Sequence, residues 1–114
     1  MVGPGGADRR PGTQAGLRKL AGTQDYVAGA PLNLIYVADT ARLGGDDAAK
    51  LATANADTGF IAQNVYLFCA SEGLGTVVRG SVNRDDLGKA LNLRAGQRII
   101  LAQTVGYAKK AAGN

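Results

Sequence analysis

The fold class this sequence predicts is α/β (α+β), a small sheet flanked by helices and built around one long buried central helix. Three observations predict it. Between Asp57 and Glu72 lie fourteen residues without a charge, Thr58 to Ser71. At helical spacing Ala56, Phe60, Gln63, Leu67 and Ala70 form one face of that run, and Ile61, Ala62, Val65, Phe68 and Cys69 form the opposite one. A helix apolar on both sides is sandwiched, not laid on a surface. Short β-branched runs at Leu32–Ala38, Thr76–Val78 and Ile99–Val105 read as strands. Helical and strand patterns alternate along the chain, which favours helices on both faces of the sheet.

Taken in order, Met1 to Thr13 is rich in Gly and Pro without periodicity and reads as a flexible arm. The domain follows, over residues 14–108. Gly16 to Ala28 is weakly helical, with Leu17, Leu20 and Ala21 on one face, Gly22 as a break and Asp25 as a cap for a second turn. Ala30-Pro31 ends that segment, because the residue before proline is pushed out of the helical region. Leu32–Ala38 is apolar on both faces in its second half, the pattern of an interior strand covered by helices. Asp39 to Gly45 is a connection. Asp46 and Asp47 are N-cap candidates, since a carboxylate there accepts from free backbone N–H groups. The helix they start runs through the uncharged stretch and stops at Gly73. After the strand at Thr76–Val78, Asn83 caps a small surface helix with Asp85 and Asp86 in its first turn and Leu87 and Leu91 one turn apart. Gly96 turns the chain into Ile99–Val105, the strongest strand. Residues 109–114 form a polar tail.

Composition narrows the functional classes. One domain suits 114 residues. The net charge is +4, with thirteen basic residues dispersed along the chain. Nucleic-acid binders cluster such residues and interleave aromatics, whereas this chain has only four tyrosines and two phenylalanines. No nucleic-acid partner is expected. The uncharged run is too short for a bilayer, which takes about 20 apolar residues, so no membrane partner is expected either. Cys69 stands alone, which excludes an internal disulfide and fits a reducing, cytoplasmic setting. Without histidine and with one cysteine, no zinc site is expected. The helix from Thr58 to Ser71 needs a second cover beyond the chain's own sheet, and a partner subunit would supply it.

The inventory of catalytic side chains is thin, and none is assigned. No histidine offers general base chemistry, and no Ser or Cys sits on a nucleophile elbow. Gly73-Leu74-Gly75 follows a helix and precedes a strand, the reverse of the dinucleotide fingerprint, and reads as a helix C-cap with a turn. Cys69 reads as a small buried hydrophobe. Gln63 and Asn64, polar groups in an apolar helix, require hydrogen-bond partners.

Function enters through resemblance. Ala62 to Thr76, then Arg79-Gly80-Ser81, Asp85-Asp86-Leu87 and Ile99 to Tyr107 resemble the second half of the nitroreductase family. Ala30-Pro31-Leu32-Asn33-Leu34 matches it too. Gln63-Asn64-Val65-Tyr66-Leu67 and Val78-Arg79-Gly80-Ser81 are similar to the branch near the SagB-type dehydrogenases. The resemblance covers roughly Asp25 to Tyr107. It implies a nitroreductase-like half-domain and an FMN-dependent oxidoreductase working as an intertwined homodimer or larger homo-oligomer. Hydride would pass from a nicotinamide cofactor through flavin to a small organic acceptor. It also implies that the central helix packs against its twin, and that the loop Val78-Arg79-Gly80-Ser81 approaches the flavin ring with backbone groups. Lys109 and Lys110 stand nearest the place of the family's phosphate-contacting basic residues.

The chain departs from the family in three ways. Its first residues offer Arg9-Arg10-Pro11 in place of an Arg-Ser-x-Arg helix, Ala108 stands for the usual proline, and the chain has about half the family's length. The expected cofactor site is therefore incomplete within one chain. A non-catalytic accessory subunit or truncated remnant, assembling through the apolar helix, is the alternative reading.

Overall fold

The structure is a computed structural model, and it describes residues 17–107. The expected arm before Thr13 and the tail from residue 109 lie outside those residues. After a helical turn at 17–20 come α1 (Asp25–Gly29), β1 (Leu32–Asp39), a 3-10 turn (Thr40–Arg42) and α2 (Asp47–Glu72). The chain continues through β2 (Leu74–Arg79), α3 (Arg84–Ala90) and β3 (Gln97–Tyr107). Among the described residues the sheet has three strands in the order β1-β3-β2, antiparallel throughout.

The two best-marked helices begin and end where their caps place them. Asp46 accepts from the Ala49 N–H at 2.8 Å and opens α2, and Gly73, at φ +70°, closes it. That left-handed closure favours glycine. Asn83 accepts from the Asp86 N–H at 3.1 Å and opens α3. The smaller expectation at Asp25 is corrected: Gln24 is the N-cap of α1, without a side-chain bond, and Asp25 is its first helical residue. Replacing Asp46 by Ala is expected to remove about 1 kcal/mol of stability. Urea unfolding checks this as a lower midpoint with an unchanged slope.

β3 is the central strand, and its alternation puts helices on both faces of the sheet. Ala102 joins Val82, Leu87 and Ile99 in the core, with Leu17, Leu20, Ile35, Leu91 and Leu93 packed around them. Gln103 turns the other way and its amide reaches the Ala62 carbonyl of α2. β1 pairs with β3 alone, so it is an edge strand of this sheet, and it is only half-buried. Its two-sided apolar pattern did not mark a fully interior strand.

The faces of α2 differ from the expectation. Ala54, Thr58, Ala62 and Cys69 make the buried stripe, and Val65 is half-buried. Ile61 and Phe68, expected on the same side as Ala62 and Cys69, instead face outward with Phe60 and Leu67. Small inward residues let the helix sit close to the sheet, and the Thr58 hydroxyl is satisfied by the Ala54 carbonyl at 2.7 Å. Gln63 and Asn64 are exposed, so water can serve them and no protein partner is required. Cys69 is buried, as read from the sequence.

Candidate functional site

The loop singled out by the sequence lies where β2 runs into α3. Val78 is half-buried, Arg79 is buried, and Gly80 and Ser81 are exposed. β2 pairs on one side only, and on its open side the Val78 N–H donates to the Tyr66 hydroxyl at 2.7 Å. Tyr66 thereby ties α2 to the strand that carries the loop.

Two arginines hold the loop from opposite sides. The Arg79 guanidinium points into the molecule, where Nε donates to Thr104 Oγ1 at 2.8 Å and Nη1 to the Ala21 carbonyl at 2.6 Å. Nη2 faces Asn33 Oδ1 at 3.4 Å. Burial pushes the Arg79 guanidinium down from its usual value, and the Tyr26 hydroxyl works in the opposite direction. On the outer side, Arg84 Nη1 donates to the Gly80 carbonyl at 3.1 Å. Its Nε and Nη2 donate to the carbonyls of Ile99 and Ile100, at 3.2 and 2.7 Å. β2 does not extend far enough to pair that part of β3, and Arg84 reaches two of its carbonyls there.

The fold itself does not call for glycine at position 80, as it does not at Gly29, Gly44 and Gly59; what sets Gly80 apart is its place on this loop. Its φ is not positive. A Cβ built on it would meet only Leu101 Cδ2, at 4.0 Å. The backbone of Gly80 and Ser81 is therefore open to a flat group laid against it. Beside the loop, between α2, α3 and the start of β3, lies an open cleft of about 720 Å³. Arg84, Lys89, Arg94 and Arg98 line it against the single carboxylate of Asp85, which gives this side a positive field.

Val78 and Arg79 lie at the end of β2 and Gly80 and Ser81 in the loop that follows, while Lys109 and Lys110 lie outside the described residues. The structure also shows residues that the sequence reading passed over. The Tyr36 hydroxyl donates to Gln103 Oε1, and Thr104 Oγ1 donates to Asn33 Oδ1 at 2.8 Å. Burial pushes the Tyr36 phenol up, and Cys69 and Tyr66 add to that. Gln103-Thr104 inside an apolar strand was the available signal, since two buried polar side chains require partners. Among the described residues no group of His, Cys, Asp and Glu could hold a metal ion. No helix among them is long and apolar enough to cross a membrane.

A family model described as Nitroreductase family matches residues 6–107. The chain belongs to the nitroreductase family. The match starts upstream of Asp25, where the resemblance had been placed. Among solved structures, a protein from Ralstonia eutropha JMP134 described as a nitroreductase is 40% identical, with a TM-score of 0.70 over 77% of this chain and 42% of that one. Nitroreductase A from Vibrio parahaemolyticus is 25% identical, with a TM-score of 0.75 over 91% of this chain and 48% of that one. The NADPH:FMN oxidoreductase from Vibrio harveyi, solved with NAD+, shares the fold at 22% identity, with a TM-score of 0.75 over 90% of this chain and 49% of that one. This chain thus spans less than half the length of each of these three. No curated protein matches it significantly.

Proposed function

We propose that this nitroreductase-family chain forms part of an FMN-dependent oxidoreductase that passes hydride from NAD(P)H to a small organic acceptor. The observation that carries the reading is the place of Gly80, an exposed glycine on the loop after β2 where, among the described residues, neither a positive φ nor close packing calls for glycine. A missing side chain there has its use when a flat ring lies against the backbone. When bound, FMN supplies the ring that takes up and passes on the hydride. The chain's own residues do the holding. Gly80 and Ser81 present backbone groups, Val78 is pinned through Tyr66, and Arg79 and Arg84 fix the two ends of the loop. Lys109 and Lys110 are proposed as contacts for the flavin phosphate.

The bare face of α2 supports a homodimer in which a second copy covers Phe60, Ile61, Leu67 and Phe68 and completes the cofactor site. A placement near the SagB-type dehydrogenases rests on Gln63 to Leu67 and Val78 to Ser81. Cytoplasmic residence suits a buried free thiol.

A second reading is favoured by one observation, the exposed apolar face of α2. Under it the chain is an accessory subunit that assembles through α2 without catalysing anything. Anaerobic addition of NADPH to the FMN-loaded chain separates the two. The catalytic reading expects the flavin absorbance near the visible maximum to bleach. Flavin that binds and stays oxidised with both NADH and NADPH would leave the accessory reading.

A further inference from the structure

We propose that Arg79 is a positioning residue that couples the N-terminal turn at 17–22 to the conformation of the Gly80–Ser81 loop. This rests on the reading that the loop holds flavin, but the coupling itself is a property of the chain alone. Arg79 ends β2, so its backbone sets where the loop starts. Its side chain joins three separate segments: Ala21 in the turn, Asn33 in β1 and Thr104 in β3. It is 4% exposed, and none of its hydrogen-bond partners among the described residues is a carboxylate. A buried guanidinium whose acceptors are all neutral is stable only while each of them stays in place.

Gly22 shows how closely the turn is fitted to this side chain. A Cβ built on Gly22 would overlap Arg79 Nη1 and crowd Val27. Gly22 is buried and does not have a positive φ, so the space, not the backbone conformation, calls for glycine. The turn is also anchored apolarly, because Leu17 and Leu20 pack on the core. Moving the turn therefore moves the guanidinium, and the guanidinium is attached one residue before Gly80. Besides Arg79, the loop is held through Tyr66 at Val78 and through the buried Val82. The Val82 N–H donates to the Gly80 carbonyl at 3.0 Å, and Arg84 reaches the same oxygen from outside.

Hydrogen exchange on the full chain tests the coupling without any ligand. Gly22→Ala fills the seat of the guanidinium from the N-terminal side. The expected result is that the amides of Ala21 and Val82 both exchange about tenfold faster, while Leu91, the C-cap of α3, keeps its wild-type rate. Faster exchange at Ala21 with an unchanged Val82 would overturn the proposal. If Gly22→Ala does not fold, Arg79→Met removes the fork and keeps the stem, and the same two amides decide. Arg79→Lys keeps the charge without the fork and is expected to behave as Arg79→Met does; wild-type exchange in Arg79→Lys would also overturn the proposal.

FMN then provides a separate arm. Added to the wild-type chain, it is expected to slow Ala21 as well as Val82, and Gly22→Ala is expected to weaken FMN binding about tenfold without touching the loop. FMN that binds and slows Val82 alone would refute the coupling and leave the flavin reading intact. A flat FMN titration would remove the flavin reading, and the comparison of variants would still decide the coupling.

Discussion

Phe68→Asp is expected to turn the proposed homodimer into a folded monomer. Phe68 is 60% exposed in the isolated chain, so an aspartate there meets water and the fold loses little. In an assembly that covers α2, the same carboxylate would be buried without a partner. Such an unpaired buried charge costs about 3 kcal/mol or more, over a hundredfold in the association constant. Phe60, Ile61 and Leu67 lie exposed on the same helix, and apolar patches of this kind mark interfaces. Sedimentation at micromolar concentration checks both halves of the expectation. A wild-type chain that sediments as a folded monomer, or a variant that keeps the wild-type mass, would contradict it.

The ends of the elements were legible in the sequence because local chemistry sets them. Asp46, Gly73 and Asn83 act through their own neighbours, and Gly96, at φ +88°, makes the turn before β3. The apolar run of Ile99–Val105 likewise marked β3 as a strand. The orientation of α2 was not legible. Periodicity gives two apolar faces, but the inward one is chosen by how closely Ala54, Thr58 and Ala62 let the helix approach the sheet. The order β1-β3-β2 was equally hidden, since strand pairing joins residues far apart in the chain.

At the loop, the sequence picked out the segment and missed the orientation of its arginine. Val78 to Ser81 stood out as one stretch, and in the structure Val78 and Arg79 end β2 while Gly80 and Ser81 begin the exposed loop. That Arg79 turns inward depends on the Ala21 carbonyl, 58 residues earlier, and on Thr104, 25 residues later. No local pattern carries that information.

The central claim is that the Gly80 backbone is where FMN rests, and Gly80→Val tests it with the second large effect. Among the described residues a Cβ at Gly80 meets only Leu101 Cδ2, at 4.0 Å, and the φ is not positive, so stability is expected to stay within about 0.5 kcal/mol of wild type. The branched valine side chain would occupy the space into which the ring must come. Fluorescence-quenching titration of FMN into the wild-type chain and into Gly80→Val is the most direct measurement. The account expects saturable binding by the wild type and an affinity at least about tenfold lower in the variant, about 1.4 kcal/mol, with the unfolding midpoint unchanged. A flat wild-type titration well above micromolar FMN, or equal affinity in the two proteins, would contradict it.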